Sequence, residues 1–162
     1  MALVLGIDPG TATTGYGLVR RQEDGSLEPL AYGTLRTPAG VEAHQRLSML
    51  FHQMNELLLL HRPDSVAVEK LFFQRNISTA IAVGQARGVL MLAISEAGLD
   101  LAEYTPNEVK QAVAGYGSAG KKQVQEMVRV LLSLPEIPQP DDAADALAIA
   151  ITHLNTQKYG EK

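Results

Sequence analysis

Met1-Ala2-Leu3-Val4-Leu5-Gly6-Ile7-Asp8-Pro9-Gly10 reads as a buried strand that carries one carboxylate to its C-terminal end. Ala2, Leu3, Val4, Leu5 and Ile7 form a nearly continuous apolar run, the pattern of a strand covered on both faces. Pro9 cannot donate to a ladder and Gly10 tolerates turn dihedrals, so the strand stops there. Asp8 is then either a turn former, since Asp-Pro-Gly is an ordinary turn string, or a site carboxylate. This stretch alone leaves both readings open.

The same construction returns at Ser65-Val66-Ala67-Val68-Glu69, a second short apolar strand ending in an acid. Between the two, Thr11 to Arg20 reads as a turn and a second strand, and a third strand follows through about Arg36, the two joined at Asp24-Gly25, a hairpin signal. Three strands with short connections make an antiparallel meander. After Thr37-Pro38-Ala39-Gly40, the stripe of Leu47, Leu50, Phe51, Met54, Leu57 and Leu58 predicts a helix over 41–62. Residues 71–76 read as a loop with two aromatics. A helix follows over 77–97, then a strand over 99–104. Thr105-Pro106 caps a helix running to about Ala114; Lys121 opens another through Leu134; Asp141 opens the last, to about Asn155. The expected fold is α/β, a five-stranded mixed sheet of three antiparallel strands then two parallel ones, with helices on both faces. Two parallel strands joined through a helix would bring Asp8 and Glu69 to one sheet edge, where ligands gather in such folds.

The 162 residues, 46% of them apolar, suit one domain over 1–155 with a frayed polar tail over 156–162. Absence of Cys excludes disulfides and thiolate metal sites. Neither a signal peptide nor an apolar run near ~18 residues is evident, so a soluble cytoplasmic protein is expected. The net charge of −4 argues against a general electrostatic nucleic-acid binder, yet the charge is segregated. Lys110, Lys121, Lys122 and Arg129 cluster between 104 and 130, whereas Asp141, Asp142 and Asp145 crowd the start of the last helix. Acids for cations and bases for a phosphate backbone would be arranged in this way; so would a patchwork surface.

Asp142 and Asp145 are three apart and share a helix face. Acids near a helix N-terminus complement its dipole, which accounts for Asp141 and Asp142. Asp145 lies a turn further in, amid Ala, Leu and Ile, and calls for a metal, a basic partner or a structural hydrogen bond. If Asp8, Glu69, Asp142 and Asp145 converge, they titrate as a coupled set that divalent cations would relieve. Oxygen-only ligands favour Mg²⁺ or Mn²⁺ over Zn²⁺, and two such ions ~4 Å apart are the usual apparatus for in-line attack of water on a phosphodiester.

Gly6-Ile7-Asp8-Pro9-Gly10, Val66-Ala67-Val68-Glu69, Gly84-Gln85-Ala86-Arg87-Gly88, Val109-Lys110-Gln111 and the run from Asp142 to Ala150 together resemble the RuvC family, the bacterial Holliday-junction resolvases. The likeness covers nearly the whole chain in order. It implies a ribonuclease-H-like fold, a homodimer and Mg²⁺-dependent, paired symmetric nicking of four-way DNA junctions that leaves ligatable ends. It also implies cooperation with the RuvA–RuvB branch-migration motor in DNA recombination and repair. By the same resemblance Asp8, Glu69, Asp142 and Asp145 match an acidic tetrad holding two ions, with Asp8 as the central ligand and Asp141 an extra acid beside it. Lys121 matches a base acting at the scissile phosphate, a role its neighbour Lys122 could share, and Lys110 matches a DNA-contacting base. Phe72 stands where the family places an aromatic that stacks on a base at the junction centre. Of Phe72 and Phe73, flanked by Lys70 and Arg75, one is expected to pack inward and one to stack. The helix around Gly84 to Gly88 resembles the family's dimer interface. Without the family, each lysine reads as a solvated surface residue and a lone Phe as core.

His44, His52, His61 and His153 show no metal-ligand spacing and read as surface residues. Three rivals stand. Gly6 to Thr11 with Thr14-Gly15 also resembles the first phosphate loop of actin-like ATPases and sugar kinases, which would leave Glu69 and the Asp pair without a role. The others are a related ribonuclease-H-like nuclease acting on RNA or other branched DNA, and a non-catalytic junction binder.

Overall fold

A computed structural model describes residues 2–10, 12–70 and 77–160, with side chains up to 157. Phe72, Phe73 and Arg75 lie outside the described residues. The elements in order are β1 (Leu3–Asp8), β2 (Thr13–Arg21), β3 (Leu27–Arg36), α1 (Ala43–His61), β4 (Ser65–Glu69), α2 (Ile77–Glu96), β5 (Asp100–Tyr104), α3 (Pro106–Ala114), α4 (Lys121–Leu131) and α5 (Asp141–Gly160). The strands form one sheet in the order β3-β2-β1-β4-β5. β2 pairs antiparallel with β1 and β3, and β4 pairs parallel with β1 and β5. This is the mixed five-stranded sheet that the strand and helix order predicts.

The apolar run of β1 hides a period of two. Leu3, Leu5 and Ile7 join Leu50, Met54, Leu90 and Ile94 in a core beneath α1 and α2. Val4 joins Leu147, Ile149 and Ile151 in a second core beneath α3, α4 and α5. Val66 and Val68 of β4 belong to the first core and Ala67 to the second. Asp8 and Glu69 have the parity of Val4 and Ala67, so both carboxylates face the α5 side of the sheet.

Helix α5 lies against the sheet at backbone distance because glycine permits it. A Cβ placed on Gly6 would sit 2.0 Å from the Ala146 carbonyl oxygen and 2.8 Å from the Ala150 nitrogen. On Gly15, which pairs with Asp8 across the ladder, it would sit 2.0 Å from the Asp142 carbonyl oxygen. Gly6 and Gly15 thus seat the helix that carries Asp142 and Asp145.

Local signals hold at other boundaries. Thr105 and Glu108 form a reciprocal capping box with Pro106 in the first turn of α3. Asp24 accepts from the Ser26 backbone N–H at 2.9 Å, closing the hairpin at Gly25. Helix α5 continues past the expected end near Asn155 to Gly160.

Two expectations need correction. His153 is not a surface residue: it is 9% exposed, with Nε2 3.1 Å from Ser65 Oγ and Nδ1 2.7 Å from the Tyr104 hydroxyl. Burial pushes its pKa down, so the neutral ring donates from one nitrogen and accepts at the other, tying α5 to β4 and β5. The second concerns α2, which is long and apolar enough, by length and composition alone, to cross a membrane. Arg87 interrupts the apolar run in sequence, and Ser, Thr, Gln and Gly residues dilute it further. Ala86, Leu90, Ala93 and Ile94 pack inward, as in a helix of a folded domain. Ile77, Ile81 and Leu92 stay 74%, 57% and 52% exposed on the outer stripe.

Candidate active site

Asp8 arrives on the last residue of the central strand, and Asp142 and Asp145 descend from the first turns of α5. One oxygen from each of the three lies within 4.8 Å of the others. All three are partly buried. Ile7 pairs with Val68 in the parallel ladder, so the residues that follow, Asp8 and Glu69, leave the sheet together. Glu69 stands outside the tight group of three but within electrostatic reach of Asp8 and Asp145.

Crowded acids in a partly dry site cannot all ionise cheaply. Burial first, then the charges of Asp145, Glu69 and Asp142, push the Asp8 carboxyl up to about 8. Protonated Asp8 donates a hydrogen bond to Asp145. Burial also raises Glu69, with Asp145 adding to it and Lys110 opposing it. Asp145 is raised mainly by burial, against the pull of Lys121. Only carboxylate oxygens are offered, and their repulsion is what a hard divalent cation relieves, so the residues fit Mg²⁺ or Mn²⁺.

This electrostatics has a measurable consequence. A carboxyl whose folded pKa exceeds its unfolded value binds its proton more tightly when folded, so its contribution to stability is lost as pH rises. With Asp8 at about 8 folded and 3.8 as a free side chain, that loss runs between roughly pH 4 and 8. In EDTA the melting temperature should fall by several degrees from pH 5 to 8. Mg²⁺ should flatten the profile, and so should Asp8→Asn. A melting temperature in EDTA that climbs steadily over that range contradicts the coupled-acid reading.

Beside the acids a cleft of about 300 Å³ is lined by Glu69, Lys110, Gly120, Lys121 and Asp145. Lys110 comes from α3, and Lys121 is the first residue of α4 and pairs with Asp141, the first residue of α5. Lys121 Nζ is 3.2 Å from Asp141 Oδ2. Asp141 Oδ1 in turn accepts from Gln125 Nε2 at 3.3 Å. Lys122 is exposed beside Lys121. Two other hollows, about 80 Å³ behind Thr14 and Gln85 and about 530 Å³ between the C-terminal ends of α1 and α2, hold no acid cluster. Sequence reading missed Gln125, although its spacing of four from Lys121 puts the two on one helix face.

Strand order and carboxylate placement together define an α/β protein of the ribonuclease-H-like class. Residues 4–153 match the model of the family "Crossover junction endodeoxyribonuclease RuvC". The chain belongs to the RuvC family. It is 54% identical over 155 residues to the Syntrophomonas wolfei crossover junction endodeoxyribonuclease RuvC, covering 96% of this chain and 90% of that one. The structure of Thermus thermophilus RuvC in complex with Holliday junction substrate matches with TM-score 0.93 and 39% identity over 99% of this chain and 97% of that one. The yeast mitochondrial Holliday junction resolvase Ydc2 shares the fold, with TM-score 0.74 at 14% identity over 97% of this chain and 79% of that one.

Proposed function

We propose that this chain resolves four-way DNA junctions by paired, symmetric, metal-dependent hydrolysis of phosphodiester bonds, in DNA recombination and repair. The observation that carries this reading is the group of Asp8, Asp142 and Asp145 oxygens beside a cleft flanked by Lys110 and Lys121, in a chain of the RuvC family. Asp8, Glu69, Asp142 and Asp145 would hold two Mg²⁺ ions, or Mn²⁺ in their place, with Asp8 as the central ligand. Bound there, such ions supply Lewis-acid stabilisation of charge on the phosphate and a more acidic water. Lys121 meets the scissile phosphate with Lys122 as its neighbour, and Lys110 and Arg75 contact the DNA backbone. A chain with net charge −4 needs such local bases to draw a polyanion toward an acidic site, so binding weakens steeply with salt.

The exposed stripe of Ile77, Ile81 and Leu92 on α2 supports a homodimer. A Cβ on Gly88, in the same stripe, meets nothing within 4 Å, which leaves room for a second backbone. Two copies give the two symmetric cuts that resolution requires. Delivery by the RuvA–RuvB motor and a cytoplasmic location belong to the same reading. An actin-like phosphate loop gives no role to Glu69, Asp142 and Asp145, and that rival is not favoured; nor is action on RNA or other branched DNA.

Phe72, at the position where the family places its junction-centre aromatic, supplies a stacking platform for an unpaired base, and Phe73 is the other aromatic that could take that role. Stacking of this kind is worth ~1–3 kcal/mol per base, so Phe72→Ala should reduce junction cleavage roughly 5- to 150-fold with an unchanged melting temperature. Strong thermal destabilisation would assign Phe72 to the core instead.

The deciding assay compares a four-way junction, a linear duplex and a replication fork with Mg²⁺ present. Symmetric nicks in the junction, with the duplex left intact, are expected; equal cutting of all three rejects the reading.

A further inference from the structure

Asp141 is an acid beside the cluster that does not belong to it. Among the described residues the metal-capable group contains Asp8, Asp142 and Asp145 and omits Asp141. Both oxygens of Asp141 are engaged elsewhere, Oδ2 by Lys121 at 3.2 Å and Oδ1 by Gln125 at 3.3 Å. Lys121 and Gln125 lie one turn apart on α4, so Asp141 is clasped by a single helix face. A cation at the first residue of a helix faces an unfavourable dipole, and Asp141, at the first residue of the neighbouring helix, compensates it. The pair is 59% and 56% exposed, so it is weak enough for a phosphate to displace.

We propose that Asp141 is a positioning residue that parks the Lys121 ammonium at the rim of the cleft, outside the Asp8–Asp142–Asp145 cluster, until a DNA phosphate takes its place. Without Asp141, the next acids within electrostatic reach of Lys121 are Asp145 and Asp142, and an ammonium drawn there competes with divalent cations. Asp141 thereby keeps a base close to the reaction without letting it occupy the metal site. This inference rests on the proposed role of Lys121 at the phosphate.

Two measurements on the full chain test it. In the first, metal-free protein is acetylated and the rates at Lys121 and its neighbour Lys122 are compared by mass spectrometry. Lys121 should react more slowly, and Asp141→Asn should raise its rate about two- to fivefold relative to Lys122. In the second, Mn²⁺ binding is followed by electron paramagnetic resonance. Asp141→Asn should weaken binding about two- to fivefold when Lys121 is present and clearly less in a Lys121→Met background. Equal weakening in both backgrounds would reduce Asp141 to a distant charge and overturn the proposal, as would unchanged acetylation. Junction cleavage by Lys121→Met separates the two levels. Wild-type cutting removes the role of Lys121 and the tether with it. Lost cutting together with unchanged acetylation and no coupling overturns the tether alone and leaves the role of Lys121 standing.

Discussion

Asp8→Asn is expected to bind a four-way junction in Ca²⁺ as the unaltered protein does and to cleave it in Mg²⁺ roughly 10³-fold more slowly or worse. Asn keeps the volume and planar shape of Asp and removes its charge. Asp8 sits at the end of the central strand with its oxygen among those of Asp142 and Asp145, so the loss falls at the centre of the group. The same change should raise the metal-free melting temperature at pH 8, because the carboxyl it replaces is pushed up to about 8, chiefly by burial. Lower activity with higher metal-free stability separates a site residue from a structural one. Near-normal nicking by the variant would sink the metal assignment. Loss of binding and folding together would return Asp8 to its reading as a turn former.

Gly6→Ala tests how the site is assembled. The added methyl would meet the Ala146 carbonyl oxygen at 2.0 Å and the Ala150 nitrogen at 2.8 Å, both in the backbone of α5. Backbone inside a helix cannot swing aside as a side chain can, so the helix must lift from the sheet. That separates Val4 from the core it shares with Leu147 and Ile151. Roughly 3 kcal/mol or more of destabilisation is expected, about 10 °C in melting temperature for a chain of this size. Cleavage should fall further than stability alone explains, because Asp142 and Asp145 ride on the displaced helix. A melting temperature within 2–3 °C of the unaltered protein would show that the seating of α5 is looser than the distances indicate.

Asp8 and Glu69 are legible in sequence because each closes a short apolar strand, and parallel pairing brings such ends together. Asp142 and Asp145 are legible as a pair through their spacing of three. Convergence of the two sets is not written locally: it depends on Gly6 and Gly15 accepting the backbone of α5 from more than a hundred residues away. His153 eluded sequence reading for the same reason, since its partners Ser65 and Tyr104 lie 88 and 49 residues distant. A lone His in an apolar helix carries no mark of them. The outward stripe of α2 is hard to read in sequence because small and hydroxylated residues and Arg87 are interspersed with its apolar ones. The attachment of Asp141 to α4 was unreadable because its two contacts come from a helix set by tertiary packing.

The most direct measurement of the central claim is anomalous diffraction at the manganese edge from crystals of the protein grown with Mn²⁺. The expected result is a peak bounded by carboxylate oxygens of Asp8, Asp142 and Asp145, absent in Asp8→Asn. A Mn²⁺ peak elsewhere on the chain with this group vacant, at concentrations that support junction cleavage, would contradict the assignment of these residues as the metal centre.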